Sequence, residues 1–261
     1  MPALIFPQPF EAIGCKQCRE LADLGFGITM AFQPIVHQPT GKPYAYEALV
    51  RGLAGEGAAE ILAKVTPDNL YRFDQACRVK AIEKAAELGL NRVEACKLSI
   101  NFLPNAVYRP STCIRATLEA SRQFDFPADR LIFEVTEGER VEDPEHLKSI
   151  FREYGRQGFT TAIDDFGSGY SGLNLLAEFQ PDLLKLDMAL TRNLCRDPVR
   201  QAIVAGIVLV AQRLGILLVA EGVETEAECD ALAALGIELM QGYYFARPAI
   251  NSLPLIERLR G

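Results

Sequence analysis

The sequence predicts an α/β fold, a (β/α)8 TIM-like barrel with an antiparallel first strand. Three observations predict it. Short apolar runs alternate with amphipathic segments along a chain of 261 residues, a length typical of one such barrel. Polar residues recur where those runs end: Glu47 after PYAY, Asn101 after KLSI, Glu134 after LIF, Asp164 and Asp165 after TTAI, Lys185 within DLLKLD, and Glu221 after ILLVA. The first two runs, MAFQPIVH and PYAYEALVRG, are joined by a turn around Pro39, Thr40, Gly41 and Lys42, so they form a hairpin and not a parallel crossover.

The elements follow in order. Residues 11–25 read as a short helix ending at Gly25 or Gly27, so residues 1–28 form an N-terminal lead-in and residues 29–261 a single barrel domain. After the hairpin, residues 69–88 carry apolar side chains at helical spacing, with Gly89 as the stop. Strands are expected near ACKLSIN, RLIFEV, TTAIDD, LLKLD, ILLVAE and ELMQ. Helices are expected near residues 111–123, 144–157, 171–178, 197–214 and 225–235. Strand–helix alternation implies right-handed crossovers and parallel pairing. The most apolar stretch, residues 202–220, is split by Gln212 and Arg213 into pieces too short to span a bilayer; it reads as a buried helix, then Gly215, then a buried strand.

Composition narrows the function. The chain is 49% hydrophobic and 23% charged with a formal net charge of −7, which argues against a general affinity for DNA, RNA or anionic membranes. The N-terminus lacks a basic region ahead of an apolar run, so a cytoplasmic protein is expected. Seven irregularly spaced cysteines do not suggest a disulfide framework, and Cys15 and Cys18 form an isolated C-x-x-C pair. Gly167, Gly169 and Gly172 match a dinucleotide-binding pattern, with Asp187 beyond them. That reading fails because Asp164 and Asp165 immediately precede the glycines and would repel a pyrophosphate. The loop is better read as flexible, closing over a substrate.

In a barrel all parallel strands end on one face, so the carboxylates of Glu47, Glu134, Asp164, Asp165 and Glu221 converge on one cavity. Such a cluster needs cations, and an oxygen-rich site suits Mg2+ or Mn2+. Two divalent ions about 3.5–4 Å apart can activate water and offset charge on a phosphodiester. Lys185, inside an apolar strand, needs a charged partner that the acids supply.

The segment YEALVRG, residues 46–52, resembles the signature of the EAL domains, bacterial phosphodiesterases that cleave cyclic di-GMP. The resemblance continues in order through Phe32-Gln33-Pro34, Ser99-Ile100-Asn101, Glu134-Val135-Thr136-Glu137, DDFGSGYS, Lys185-Leu186-Asp187, Glu221-Gly222-Val223-Glu224 and Gln241-Gly242-Tyr243. It implies hydrolysis of cyclic di-GMP to linear pGpG with two Mg2+ or Mn2+ ions; Ca2+, larger and less able to acidify water, is expected to be inhibitory. It assigns Glu47, Asn101, Glu134 and Asp164 to one ion, and Asp164, Asp165 and Glu221 to the second. Lys185 would touch the water between them. Gln33 and Arg51 would contact the nucleotide, Glu224 and Gln241 the second ion's waters or the substrate, and Glu137 would anchor the glycine-rich loop. A homodimer is expected, together with a regulatory sensor domain or partner outside this chain. The competing readings are a catalytically silent cyclic di-GMP receptor and a Mg2+-dependent barrel lyase of the enolase type, which the long carboxylate set disfavours.

Overall fold

The computed structural model describes residues 24–137, 144–169 and 172–256. The expected helix over 11–25, with Cys15 and Cys18, lies almost wholly outside them; residues 24–27 are non-helical. The strands are β1 (Ile28–His37), β2 (Lys42–Gly52), β3 (Lys97–Asn101), β4 (Leu131–Thr136), β5 (Thr160–Phe166), β6 (Leu183–Leu186), β7 (Leu217–Ala220), β8 (Leu239–Met240) and β9 (Ala249–Ile250). The helices are α1 (Ala58–Leu62), α2 (Leu70–Glu87), α3 (Pro110–Cys113), α4 (Arg115–Gln123), α5 (Pro144–Arg156), α6 (Gly172–Glu178), α7 (Met188–Thr191), α8 (Pro198–Leu214) and α9 (Glu226–Ala234).

Strands β2 to β8 pair in sequence order, and β1 closes the barrel between β8 and β2, antiparallel to both. The hairpin turn at residues 38–41 uses Gly41 at φ +66°, a left-handed conformation that glycine adopts without strain. The expected helix over 111–123 breaks at Ile114 into α3 and α4. α1, α7 and β9 were not anticipated; α1, α7 and β9 span only 5, 4 and 2 residues, too few to show a period.

Strand alternation builds the site. Ile35, Ala45, Ile132, Ala162, Leu183, Val219 and Leu239 form an apolar plug inside the barrel. Two positions toward the C-terminal face on the same strands stand Gln33, Glu47, Glu134, Asp164, Lys185, Glu221 and Gln241. Side chains two apart share a strand face, so a polar layer sits directly on the plug.

α2 is pinned on the outside of the barrel by the bonds that a buried ion pair within it makes to its neighbours. Arg78 Nη2 lies 2.8 Å from Asp74 Oδ2, and Arg78 Nη1 donates to the Tyr154 hydroxyl at 2.6 Å. Asp74 Oδ1 accepts from the Leu103 amide at 2.9 Å, which fixes the chain just after Asn101.

The expected helix and strand over 202–220 are present, and Val219 and Ala220 of β7 are buried, but the expectation of a buried helix is corrected. α8 turns only Val204, Val208 and Ala211 fully inward, while Val199, Ile203 and Leu209 are 66%, 46% and 56% exposed. A helix on the outer ring of a barrel has one sheet-facing side, whatever its overall hydrophobicity. Leu217, at the start of β7, is exposed as well.

Candidate active site

Lys185 is the centre of the polar layer. It is 1% exposed, and its Nζ lies 2.7 Å from Glu221 Oε1, 2.9 Å from Asp164 Oδ1, 3.0 Å from Glu134 Oε2 and 3.3 Å from Glu47 Oε2. Each carboxylate comes from a different strand or strand end, which is why the cluster needs a closed barrel. The remaining oxygens are bonded from the walls. Ser99 Oγ donates to Glu134 Oε1 at 2.5 Å, Asn101 Nδ2 to Glu47 Oε1 at 2.9 Å and Gln241 Nε2 to Glu47 Oε2 at 2.7 Å. Gln241 Nε2 also donates to Gln33 Oε1 at 3.2 Å, and Gln33 Nε2 to the Ala246 carbonyl at 3.1 Å. Sequence reading gave Ser99 no role; its place two residues before Asn101 on β3 was the available signal.

One buried lysine does not offset this much acid. Burial, reinforced by Glu47 and Asp164, outweighs Lys185 and pushes the Glu134 carboxyl up to about 8. Burial and neighbouring acids likewise raise Glu221 well above the usual carboxylate range and Asp165 to about 6. Glu47 goes the other way: burial is outweighed by Lys185 and by the bonds from Gln241 and Asn101. Lys185 itself stays protonated, because its four acidic neighbours outweigh its burial.

The donor set fits divalent cations. Glu47, Glu134 and Asp164 can each offer an oxygen within 4.8 Å of one another, as can Asp164, Asp165 and Glu221. Asp164 belongs to both groups, and all the donors are hard oxygens. Asn101 adjoins the first group through Glu47. Because a ligating carboxylate must be deprotonated, cation uptake would expel the Glu134 proton. We therefore expect Mn2+ affinity to rise with pH through the region near 8 in which Glu134 gives up its proton. Below that region affinity falls about tenfold per pH unit for each proton released. Calorimetric titrations in buffers of different ionisation enthalpy measure both quantities.

A cleft of about 250 Å3 opens over the cluster, lined by Gln33, Glu47, Asp165, Glu221, Glu224, Gln241 and Tyr243 among others. Asp187 also reaches it while capping α7, its Oδ1 accepting from the Ala189 amide at 2.8 Å. Glu224 stands at the rim, paired with Arg192 at 2.5 Å. Tyr243 is half exposed with the Arg247 guanidinium 4.1 Å from its ring centre, so it belongs to the rim. Arg51 does not line the cleft; it is half-buried near the end of β2, its Nη1 donating to the Val50 carbonyl at 2.7 Å.

Glu137 sits under the glycine-rich loop. Its Oε2 accepts from the Gly167 amide at 2.7 Å. A Cβ on Gly169 would approach Glu137 Oε1 to 2.9 Å, and one on Gly172 would meet the Phe166 ring at 2.6 Å, so the loop backbone lies against these side chains. Asp165 adopts φ +55° and Gly167 φ +97°, a turn that must be held from outside. Glu137→Ala is expected to raise KM and lower kcat, together about 10–100-fold, as loss of a group orienting a ligand does, with partial recovery at high metal. Unchanged kinetics at limiting Mg2+ would leave Glu137 no part in placing Asp165.

A closed barrel with an antiparallel first strand and two acidic groups sharing one aspartate defines the class: a barrel protein with a divalent-metal centre at the strand ends. The model of the EAL domain matches residues 20–248, and the chain belongs to that family. The structure of a standalone versatile EAL protein from Vibrio cholerae O395, in its c-di-GMP-bound form, is 56% identical, covers 89% of this chain and 96% of that one, and superposes with a TM-score of 0.85. BlrP1 of Klebsiella pneumoniae, solved with manganese and cyclic di-GMP, is 36% identical over 86% of this chain and 56% of that one, with a TM-score of 0.80. The blue light- and temperature-regulated antirepressor BluF of Escherichia coli K12 is 30% identical over 87% of this chain. The chain spans 55% of BluF's length. Other similar proteins from Escherichia coli and Pseudomonas aeruginosa are named cyclic di-GMP phosphodiesterases.

Proposed function

We propose that this chain hydrolyses cyclic di-GMP to linear pGpG. The observation that carries the reading is the pair of acidic groups sharing Asp164 around Lys185. Glu47, Asn101, Glu134 and Asp164 would hold one divalent ion, and Asp164, Asp165 and Glu221 the other. When bound, Mg2+ or Mn2+ would supply charge for the phosphoryl oxygens and lower the pKa of a water. Lys185, a cation fixed among the acidic groups, would orient a water for attack. The buried Gln241 Oε1 has no hydrogen-bond partner among the described residues, so it can accept from a water or a substrate N–H in the cleft. Gln33 fixes the orientation of Gln241, and Arg51 offers its remaining donors to a phosphate as substrate crosses the end of β2. Glu224 borders the substrate at the rim, and Glu137 keeps the loop closed.

The second reading, a silent receptor, is favoured by the antirepressor name of one relative. Purified protein incubated with cyclic di-GMP and Mn2+, Mg2+, Ca2+ or chelator separates the two. Production of pGpG with Mn2+ and Mg2+ is expected. Ca2+ is expected to bind but support little turnover, since it is larger and acidifies water less. Binding without product under every metal supports the receptor.

Residues 29–261 form the catalytic unit in this reading, with residues 1–28 as a lead-in and a sensor domain or partner supplying regulation. No helix among the described residues is long and apolar enough to cross a membrane. We place the protein in the bacterial cytoplasm, where a nucleotide messenger is available. The apolar outer face of α8, with Val199, Ile203 and Leu209 exposed, would be covered by a second copy of this chain. Light scattering is expected to give the mass of two chains, falling to one in Leu209→Glu.

A further inference from the structure

The family match ends at residue 248, and the chain then turns back onto the barrel. β1 pairs with β8 only through Val36–Met240 and His37–Leu239, both far from the site end of β1. Nearer the site, β9 takes the free edge of β1, pairing Ala31 with Ile250 and Phe32 with Ala249. Three further bonds continue the strap. The Asn251 amide donates to the Met30 carbonyl at 2.9 Å, Thr29 Oγ1 donates to Asn251 Oδ1 at 2.6 Å, and the buried Tyr46 hydroxyl donates to the Pro254 carbonyl at 3.1 Å. Leu253 and Ile256 pack against the core beside them.

All these anchors fall on the β1–β2 hairpin, and that hairpin carries Gln33, Glu47 and Arg51. In the hairpin register Gln33 faces Glu47 and Thr29 faces Arg51. Tyr46 is the residue before Glu47, so the strap grips the backbone that aims the first acidic group from the opposite side of the sheet. Without it, the site end of β1 would be an open edge, and the hairpin would be held there mainly by its own ladder.

We infer that residues 249–256 are a positioning strap for the metal and substrate site, acting through Thr29 and Tyr46 on the hairpin that presents Glu47. The inference rests on the metal-dependent reading of the cluster. Tyr46 and Asn251 are positioning residues and touch neither substrate nor metal. The strap stiffens the hairpin so that Glu47 meets its partner acids in one arrangement, which reduces the ordering left for the cation to impose.

The test uses the full chain with Tyr46→Phe and Asn251→Gly combined. Glycine accepts the φ of +49° at position 251, so only the side chain is lost. A matched control, Ser121→Ala, removes a buried side-chain bond to the Phe126 carbonyl on α4, away from the site. The double variant is expected to bind Mn2+ about tenfold more weakly by calorimetry, near the lower end of the loss seen when ligand-orienting groups are removed. Its hydrolysis should recover at high Mn2+, while the control keeps wild-type Mn2+ affinity even if it melts earlier. Equal Mn2+ isotherms for wild type and double variant overturn the strap alone. A weakened isotherm in the control as well overturns it too, since stability and not positioning would then set affinity. A wild-type chain that takes up no Mn2+ overturns the metal reading and the strap with it.

Discussion

Asp164→Ala is expected to lower cyclic di-GMP turnover by about three orders of magnitude or more, the scale of loss when one member of a cooperating catalytic unit is removed. Asp164 is the only residue common to the two acidic groups, so alanine takes an oxygen from both. It also strips Lys185 of a partner at 2.9 Å and the Asp165 amide of its acceptor at 2.9 Å. The second loss loosens a residue already held at φ +55°. The fold should persist. Ala162, two positions below, stays in the apolar plug, and the variant is relieved of a carboxyl that burial already pushes above its usual range. Chromatographic detection of pGpG, with circular dichroism as the fold control, decides it. A folded variant retaining more than about a tenth of the wild-type rate would show that the two groups do not work through a shared ligand.

The polar layer was legible because it is written in strand alternation. Ala45 and Glu47, Ile132 and Glu134, Leu183 and Lys185, and Val219 and Glu221 repeat one pattern of apolar plug and polar rim. Once the barrel is inferred, those side chains must converge. The hairpin was legible for a different reason: a turn of a few residues cannot make a parallel crossover. What stayed hidden depends on distance in sequence. The bonds from Ser99 to Glu134 and from Gln241 to Glu47 join side chains whose separation says nothing of their contact. β9 spans two residues and gains its place from the free edge of β1, not from any period of its own. α8 misled because hydrophobicity reports what a helix could bury, whereas the outer ring of the barrel leaves much of it uncovered.

Lys185→Met should separate two roles that the geometry superimposes. Lysine could be present to neutralise the acids, or to act on the water and phosphate. Methionine has a comparable length and no charge, so the apolar wall around a side chain that is 1% exposed can be refilled. Removing a cation in contact with Glu47, Glu134, Asp164 and Glu221 deepens the negative potential where divalent ions would sit. Mn2+ affinity in the variant is therefore expected to be equal to or tighter than wild type. Hydrolysis is nevertheless expected to fall by about three orders of magnitude, because the group proposed to orient the water is gone. The metal-free variant should be less stable at neutral pH, since four buried acidic groups then lose their only buried cationic partner among the described residues and must take up protons or repel one another. Added Mn2+ should restore its melting temperature by mass action while leaving it inactive. If the variant instead loses Mn2+ binding and activity together, Lys185 holds the acids in place and takes no part in the chemistry. If activity survives with metal bound, the water is positioned by other groups, and the unpartnered Gln241 Oε1 is an acceptor to examine.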